Sequence, residues 1–344
     1  MMLSIASVGA MANAKPVLGE QKFFSDWAVA CDNRLACEAI ALQPGEAPFD
    51  GISLSLTRAS LTGDITITLS GFESKSDRYR LLVDGRVADT GPINSAAPEP
   101  IKVTGTDALR LARTLSKGRT LSLRDGKGGE LGTISLKGSR ATFLHIDAIQ
   151  NRAASKTALT STGVKNLRVK WNPMPVITAK RIAPTENIPD ATTLVSLIES
   201  SACKEQRYGV TEDTAYSLGG IDGKARALVL ISCGAGAYNF SSAAYIGTEE
   251  QKGRWQFSPA QFDYGETERT IEGGLHLLVN ADWNAATQMM SSYAKGRGPG
   301  DCGNAERYVW DGNQFRLISA QGMEQCRGSL YWLPLWQAEA KLVD

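Results

Sequence analysis

Hydrophobic and polar residues alternate with a period of two along much of this chain, the pattern of half-buried β-strands. It is clear at 52–58 (ISLSLTR) and 64–69 (DITITL), and it returns at 226–233 (RALVLISC) and 274–280. An apolar run at 23–31 turns at Asp32 and Asn33 and comes back through 36–42. Asp84 with Gly85 is a two-residue hairpin turn, a further hairpin is expected around Asp311 and Gly312, and the glycine-rich stretch 125–129 reverses another pair of strands within 120–136. Helical spacing interrupts the β pattern three times. At 106–117, Ala108, Leu111, Ala112 and Leu115 share one face, with Thr106 as N-cap and Gly118 just past the end. A second helix follows Ser139 over 140–151 and presents Leu144 and Ala148. Asp190 caps a third, with Leu194, Leu197 and Ile198 as its buried stripe.

The predicted fold class is therefore mainly β with a minor helical part. It consists of two antiparallel β-sandwich or barrel-like domains carrying a few short helices. The first domain is expected at 20–165 and the second at 191–344. Between them, 166–190 reads as a linker because Pro173, Pro175, Pro184 and Pro189 disfavour helix there. The second domain is dense in aromatics, among them Tyr208, Trp283, Tyr293, Trp310, Tyr331 and Trp332, as short antiparallel strands between glycine turns often are.

A chain of 344 residues is too long for one compact core, which agrees with two domains. Lys plus Arg (37) balance Asp plus Glu (36), so bulk charge gives no reason to expect a nucleic-acid partner. Beyond the first positions no apolar run approaches the ~18 residues of a membrane span, and the mature chain is expected to have none. Residues 1–14 are small and apolar and end in Ala12, Asn13 and Ala14, the A-x-A pattern of a signal-peptidase site; the first charge is Lys15. Export to the periplasm or beyond is the expectation.

Six cysteines, Cys31, Cys37, Cys203, Cys233, Cys302 and Cys326, allow 15 pairings. The economical set is sequential, each bridge closing a hairpin-sized stretch and contributing roughly 2 to 4 kcal/mol. A metal site is not expected: no C-x-x-C occurs, and His145 and His276 are the chain's two histidines. No cofactor is expected either. Gly234, Ala235 and Gly236 make half a dinucleotide fingerprint at most, and Ser292 with Lys295 fits S-x-x-K without its partner motifs.

The run FSDWAVACDN at 24–33, with Cys37 soon after, resembles the start of the exported bacterial proteins grouped as DUF1176. The distal pieces YAKGRGPGDCG at 293–303, WDG at 310–312, FRL at 315–317 and CRG at 326–328 extend the resemblance over most of the mature chain. Residues 23–160 more distantly resemble the invasion-associated locus B family, through the Trp-x-x-x-Cys opening, SLKG at 135–138, Ile146, Asp147 and QNR at 150–152. The resemblance implies an envelope location and a β-rich fold. It implies no catalytic or ligand residue, because the larger family is defined by unknown function.

Three functions remain open from the residues. The first is a non-enzymatic envelope accessory or binding protein for a glycan, an anion or another envelope protein, with Trp283, Asn284, Lys295, Arg297 and Asp301 as its binding face. Those residues combine an aromatic ring, an amide and two cations beside a glycine loop stapled through Cys302. The second is an envelope hydrolase using paired carboxylates, Asp282 and Asp301 being the first pair to inspect. The third is a host-interaction factor.

Overall fold

The computed structural model describes residues 15–45, 51–73, 76–90, 93–94, 100–207, 212–265, 270–271, 275–329 and 331–344. The expected leader at 1–14 and Tyr208 lie outside the described residues. The chain is mainly β, in several antiparallel sheets with three α-helices among the described residues. Every sheet runs from one edge to another, so the barrel-like alternative is not realised.

The first sheet is an antiparallel meander of Lys22–Phe24, Trp27–Cys31, Cys37–Ala41, Ser53–Arg58 and Ile65–Ser70, completed by Ile101–Thr104. A second sheet contains Arg78–Val83, Thr120–Asp125 and Glu130–Ser135. Between them lies an apolar core to which Leu54, Leu56, Ile67 and Leu69 contribute from one sheet and Leu81, Leu121 and Leu123 from the other. Trp27 is buried there, edge-on to Phe143 with ring centroids 5.3 Å apart, and its indole Nε1 donates to the Ser135 carbonyl at 3.1 Å.

Helix α1, Gly105–Leu115, adds the four side chains its spacing predicted, Ala108, Leu111, Ala112 and Leu115. Its N-cap is Thr104, not Thr106, because the strand Ile101–Thr104 runs directly into the helix. Helix α2, Ser139–Ile149, is rotated from the expected face: Phe143, Ile146 and Asp147 are buried, while Leu144 and Ala148 face solvent. The reason is electrostatic. Asp147 accepts from Arg58 Nη1 at 2.7 Å and from the Leu159 backbone N–H at 2.9 Å, which turns a carboxylate inward and its apolar neighbours outward. Helix α3, Ala191–Ser200, starts where Asp190 accepts from the Thr193 N–H, and it buries Leu197 against Val229 and Ile231.

The second half of the chain forms two further antiparallel sheets. One is built around the long strands Lys224–Ala235 and Phe240–Gln251, the other runs through Met289–Lys295, Gly303–Trp310, Phe315–Met323 and Leu333–Gln337. The Pro-rich stretch is not all loop. Its residues Val176–Lys180 pair in parallel with Glu339–Val343 near the C-terminus.

The strands Trp27–Cys31 and Cys37–Ala41 are buried on both faces. Trp27, Val29, Cys37 and Ala39 point into the first core. Ala28, Ala30, Ile40 and Leu42 point the other way, into a core shared with Trp310, Phe315, Leu317 and Leu333. This is why 24–31 reads as a nearly continuous apolar run.

All six cysteines are paired as Cys31–Cys37, Cys203–Cys233 and Cys302–Cys326. Cys31 and Cys37 are direct cross-strand partners, which accounts for a bridge over so short a turn.

Candidate functional site

The five residues of the expected binding face do not converge on one surface. Trp283 is buried in the shared core, edge-on to Phe315 at 6.1 Å, so its ring offers no platform to a ligand. Asn284 is exposed on the edge strand Asp282–Asn284, where its side chain accepts from the Thr287 N–H. Asp301 is buried. It takes a two-point hydrogen bond from Arg297 (Nε to Oδ1, 2.8 Å; Nη2 to Oδ2, 2.5 Å) and a third from the Gly328 N–H at 2.7 Å. The bonds from Arg297 hold the Asp301 carboxyl below the usual carboxylate range. Arg297 also donates to the Cys326 carbonyl at 3.0 Å, so its charge is committed to the loop. Arg297 is thus neutralised within the stapled glycine loop. Lys295 ends the strand Met289–Lys295, and its side-chain stem runs beside Gly300. Asp282 lies exposed on its strand, whereas Asp301 is buried.

What the loop does position is an aromatic wall. Trp332 donates its indole Nε1 to the Gly300 carbonyl at 3.2 Å and stacks on Tyr293, with centroids 4.8 Å apart and planes 10° from parallel. At Gly303 a Cβ would sit 2.0 Å from the Ala294 carbonyl oxygen and 3.0 Å from the Trp332 ring, so only glycine lets the strand pass beneath the wall. Tyr331 continues it, its hydroxyl 2.9 Å from the Ser70 hydroxyl of the first sheet.

Facing this wall is Glu38. The cleft between them, about 320 Å³, is lined by Glu38, Tyr293, Gly300, Gln321, Tyr331 and Trp332. Glu38 occupies the strand Cys37–Ala41 on the face that Ile40 and Leu42 use to pack against the second half. Its side chain makes no hydrogen bond or ion pair with any described residue. Burial without a partner pushes its carboxyl from 4.5 up to about 7. From Glu38 a row of cross-strand partners, Thr57, Thr66 and Thr104, runs across the same face of the sheet. Thr57 and Thr104 are exposed on that face.

The raised Glu38 carboxyl has a measurable consequence. Ionising it costs more in the folded chain than in the unfolded one, so its stabilising effect is complete below pH 4.5 and is lost as pH rises to about 7. The expected loss is about 2 kcal/mol, less than the full shift would give because the cleft admits water. Denaturant unfolding of the parent and of Glu38→Gln between those pH values checks this. The parent should lose stability relative to the variant across the window, and parallel curves would contradict the assignment.

The cleft lies on the seam between the two halves, and residues of the quoted sequence runs hold that seam. Arg327 donates to Asp26 Oδ1 at 2.6 Å, to the Ser25 carbonyl at 2.6 Å and to the Gln43 carbonyl at 2.7 Å. Asn33 makes a reciprocal pair with the Gln337 backbone, its Nδ2 donating to the carbonyl and its Oδ1 accepting from the N–H. Sequence reasoning named Tyr293, Tyr331 and Trp332 only as aromatics and passed over Glu38 and Gln321. One signal was available: Glu38 is a carboxylate inside the run CEAIAL, which is apolar on both strand faces.

No helix among the described residues is long and apolar enough to cross a membrane, and no cluster of three His, Cys, Asp or Glu residues among them could hold a metal ion. The chain is 28% identical over 339 residues to the uncharacterized protein YpfG of Escherichia coli (strain K12), the match covering 92% of each chain. A solved structure, the invasion associated protein b from Bartonella henselae, superposes with a TM-score of 0.30 at 14% identity, over 38% of this chain and 99% of that one. Residues 21–339 match the model of the family described as "Protein of unknown function (DUF1176)", and the chain belongs to that family.

Proposed function

We propose that this is an exported binding protein of the bacterial envelope, periplasmic or secreted and without catalytic activity, whose seam cleft holds a glycan. In this reading residues 20–165 and 191–344 are two lobes joined by 166–190, and the ligand sits where they meet. The observation that carries the proposal is Glu38, a carboxyl without a side-chain partner among the described residues, set opposite Tyr293, Tyr331 and Trp332. A sugar supplies what such a cleft lacks: hydroxyls to bond the carboxyl and the Gln321 amide, and a C–H face to pack on aromatic rings. An anion suits it less well, since the Glu38 carboxyl lines the cleft and Arg297 is committed to Asp301, although Lys295 runs beside Gly300 at its margin. The paired-carboxylate hydrolase finds no support in this cleft, because among the described residues its lining holds Glu38 and no second Asp or Glu.

The test is a glycan array probed with the mature protein, followed by calorimetry on the hits. Trp332→Ala and Glu38→Ala should each weaken binding about tenfold or more, the loss of a ring contact or of a charged hydrogen bond. Failure to bind any glycan, or binding indifferent to both substitutions, would dismiss the reading.

A further inference from the structure

Between Asp147 and Glu186 the chain carries seven cations and no carboxylate, although positive and negative charges balance over the whole sequence. Arg152 is buried and Arg181 is paired with Asp344. Three of the others, Lys165, Arg168 and Lys170, fall within a short stretch that has no regular secondary structure and runs over the surface beside the end of α2.

This strap is fastened through its backbone. The Lys165 N–H donates to the Ala154 carbonyl at 3.1 Å and the Lys170 N–H to the Gln150 carbonyl at 3.4 Å. The Arg168 carbonyl accepts from Asn151 Nδ2 at 2.7 Å, and Asn172 Nδ2 donates to the Asn33 carbonyl at 2.8 Å. Because main-chain groups do the holding, the side chains are left to solvent. Lys165 reaches Asn151 Oδ1, while Arg168 and Lys170 make no ion pair with a described residue. Interleaved with these cations are exposed apolar side chains: Val164 is 94% accessible, Trp171 47% and Leu167 41%.

We propose that the 164–171 strap docks on the headgroup region of an anionic lipid bilayer. The cations alone would suit any polyanion. The apolar residues decide between partners: a soluble polyanion would leave Val164 and Leu167 in water, whereas a bilayer interface takes them into the acyl boundary while the cations meet the headgroups. Trp171 has the side chain most favoured at that depth, with an apolar ring and a polar N–H. The surface is distinct from the glycan cleft and does not depend on it.

Co-sedimentation of the mature protein with vesicles tests the proposal, comparing pure phosphatidylcholine with an equal mixture of phosphatidylcholine and phosphatidylglycerol. Binding to the mixed vesicles alone, weakened by salt, is expected. The triple substitution Lys165→Gln, Arg168→Gln and Lys170→Gln should reduce it about 100-fold, from roughly fivefold per cation. Val164→Ser with Leu167→Ser should weaken it with the charge unchanged. All substituted side chains are exposed, and circular dichroism confirms that each variant folds. Equal binding to neutral vesicles, or indifference to the charge substitutions, would overturn the proposal. So would equal capture by soluble polyphosphate with no effect of the Val164 and Leu167 changes, which would assign the strap to a polyanion.

Discussion

Replacing Asp147 by Ala is expected to destabilise the protein by about 3–5 kcal/mol, the cost of leaving a buried charge without its partner. Arg58 and Asp147 are both fully enclosed, and burial acts against both ions: it lowers the Arg58 guanidinium to about 10 and pushes the Asp147 carboxyl up. Arg58 is also tied to the Thr157 carbonyl, and Asp147 to the Leu159 N–H, so the pair pins the segment after α2 against the first sheet. Arg152 extends this anchor, donating to the Ser60 carbonyl at 2.9 Å. The pair's net contribution is small because desolvation offsets most of its attraction. A double replacement, Arg58→Met with Asp147→Leu, should therefore lose less stability than either single change. Denaturant midpoints of the four proteins decide the matter. Additive losses would show that the two side chains act independently.

Removing the Cys302–Cys326 bridge as Cys302→Ala with Cys326→Ala is expected to cost about 3.5 kcal/mol by the loop-closure relation, for a sequence separation of 24. The effect should extend beyond stability. The bridge anchors the loop in which Arg297 clamps Asp301, Asp301 holds the Gly328 N–H, and the Gly300 carbonyl orients Trp332. Loss of the bridge should loosen the Tyr293–Trp332 stack and shrink the near-ultraviolet circular dichroism of the aromatic wall while far-ultraviolet β signal persists. If the variant keeps the aromatic signal and glycan binding of the parent, the loop alone suffices to shape the cleft. Removing Cys31–Cys37 should disturb the cleft less, because Glu38 stays in register between Ala30 and Thr57 on neighbouring strands.

The β architecture was legible because alternation is a local property: each strand's inward residues repeat every second position whatever it packs against. The turns at Asp84 and Asp311 and the buried face of α1 were legible for the same reason. The face of α2 was not. Apolar residues lie on both sides of the helix, Leu144 and Ala148 on one and Phe143 and Ile146 on the other, and the buried ion pair of Asp147 with Arg58, 89 residues earlier, lies on the Phe143 side. The pairing within 293–303 was hidden in the same way. Lys295, Arg297 and Asp301 look like a charged recognition loop in the linear chain, yet Asp301 turns inward and neutralises Arg297.

By itself, then, the sequence determined where most of the strands and helices run, a sequential cysteine pairing as the economical one of 15, and the family that the chain resembles. Tertiary structure alone decided which polar groups face each other, because those distances depend on how sheets far apart in the chain are stacked. Glu38 acquires its unusual carboxyl from a wall of aromatics about 250 to 300 positions later. No local pattern encodes that encounter, since the free energy of a buried charge is set by the neighbours that displace its water.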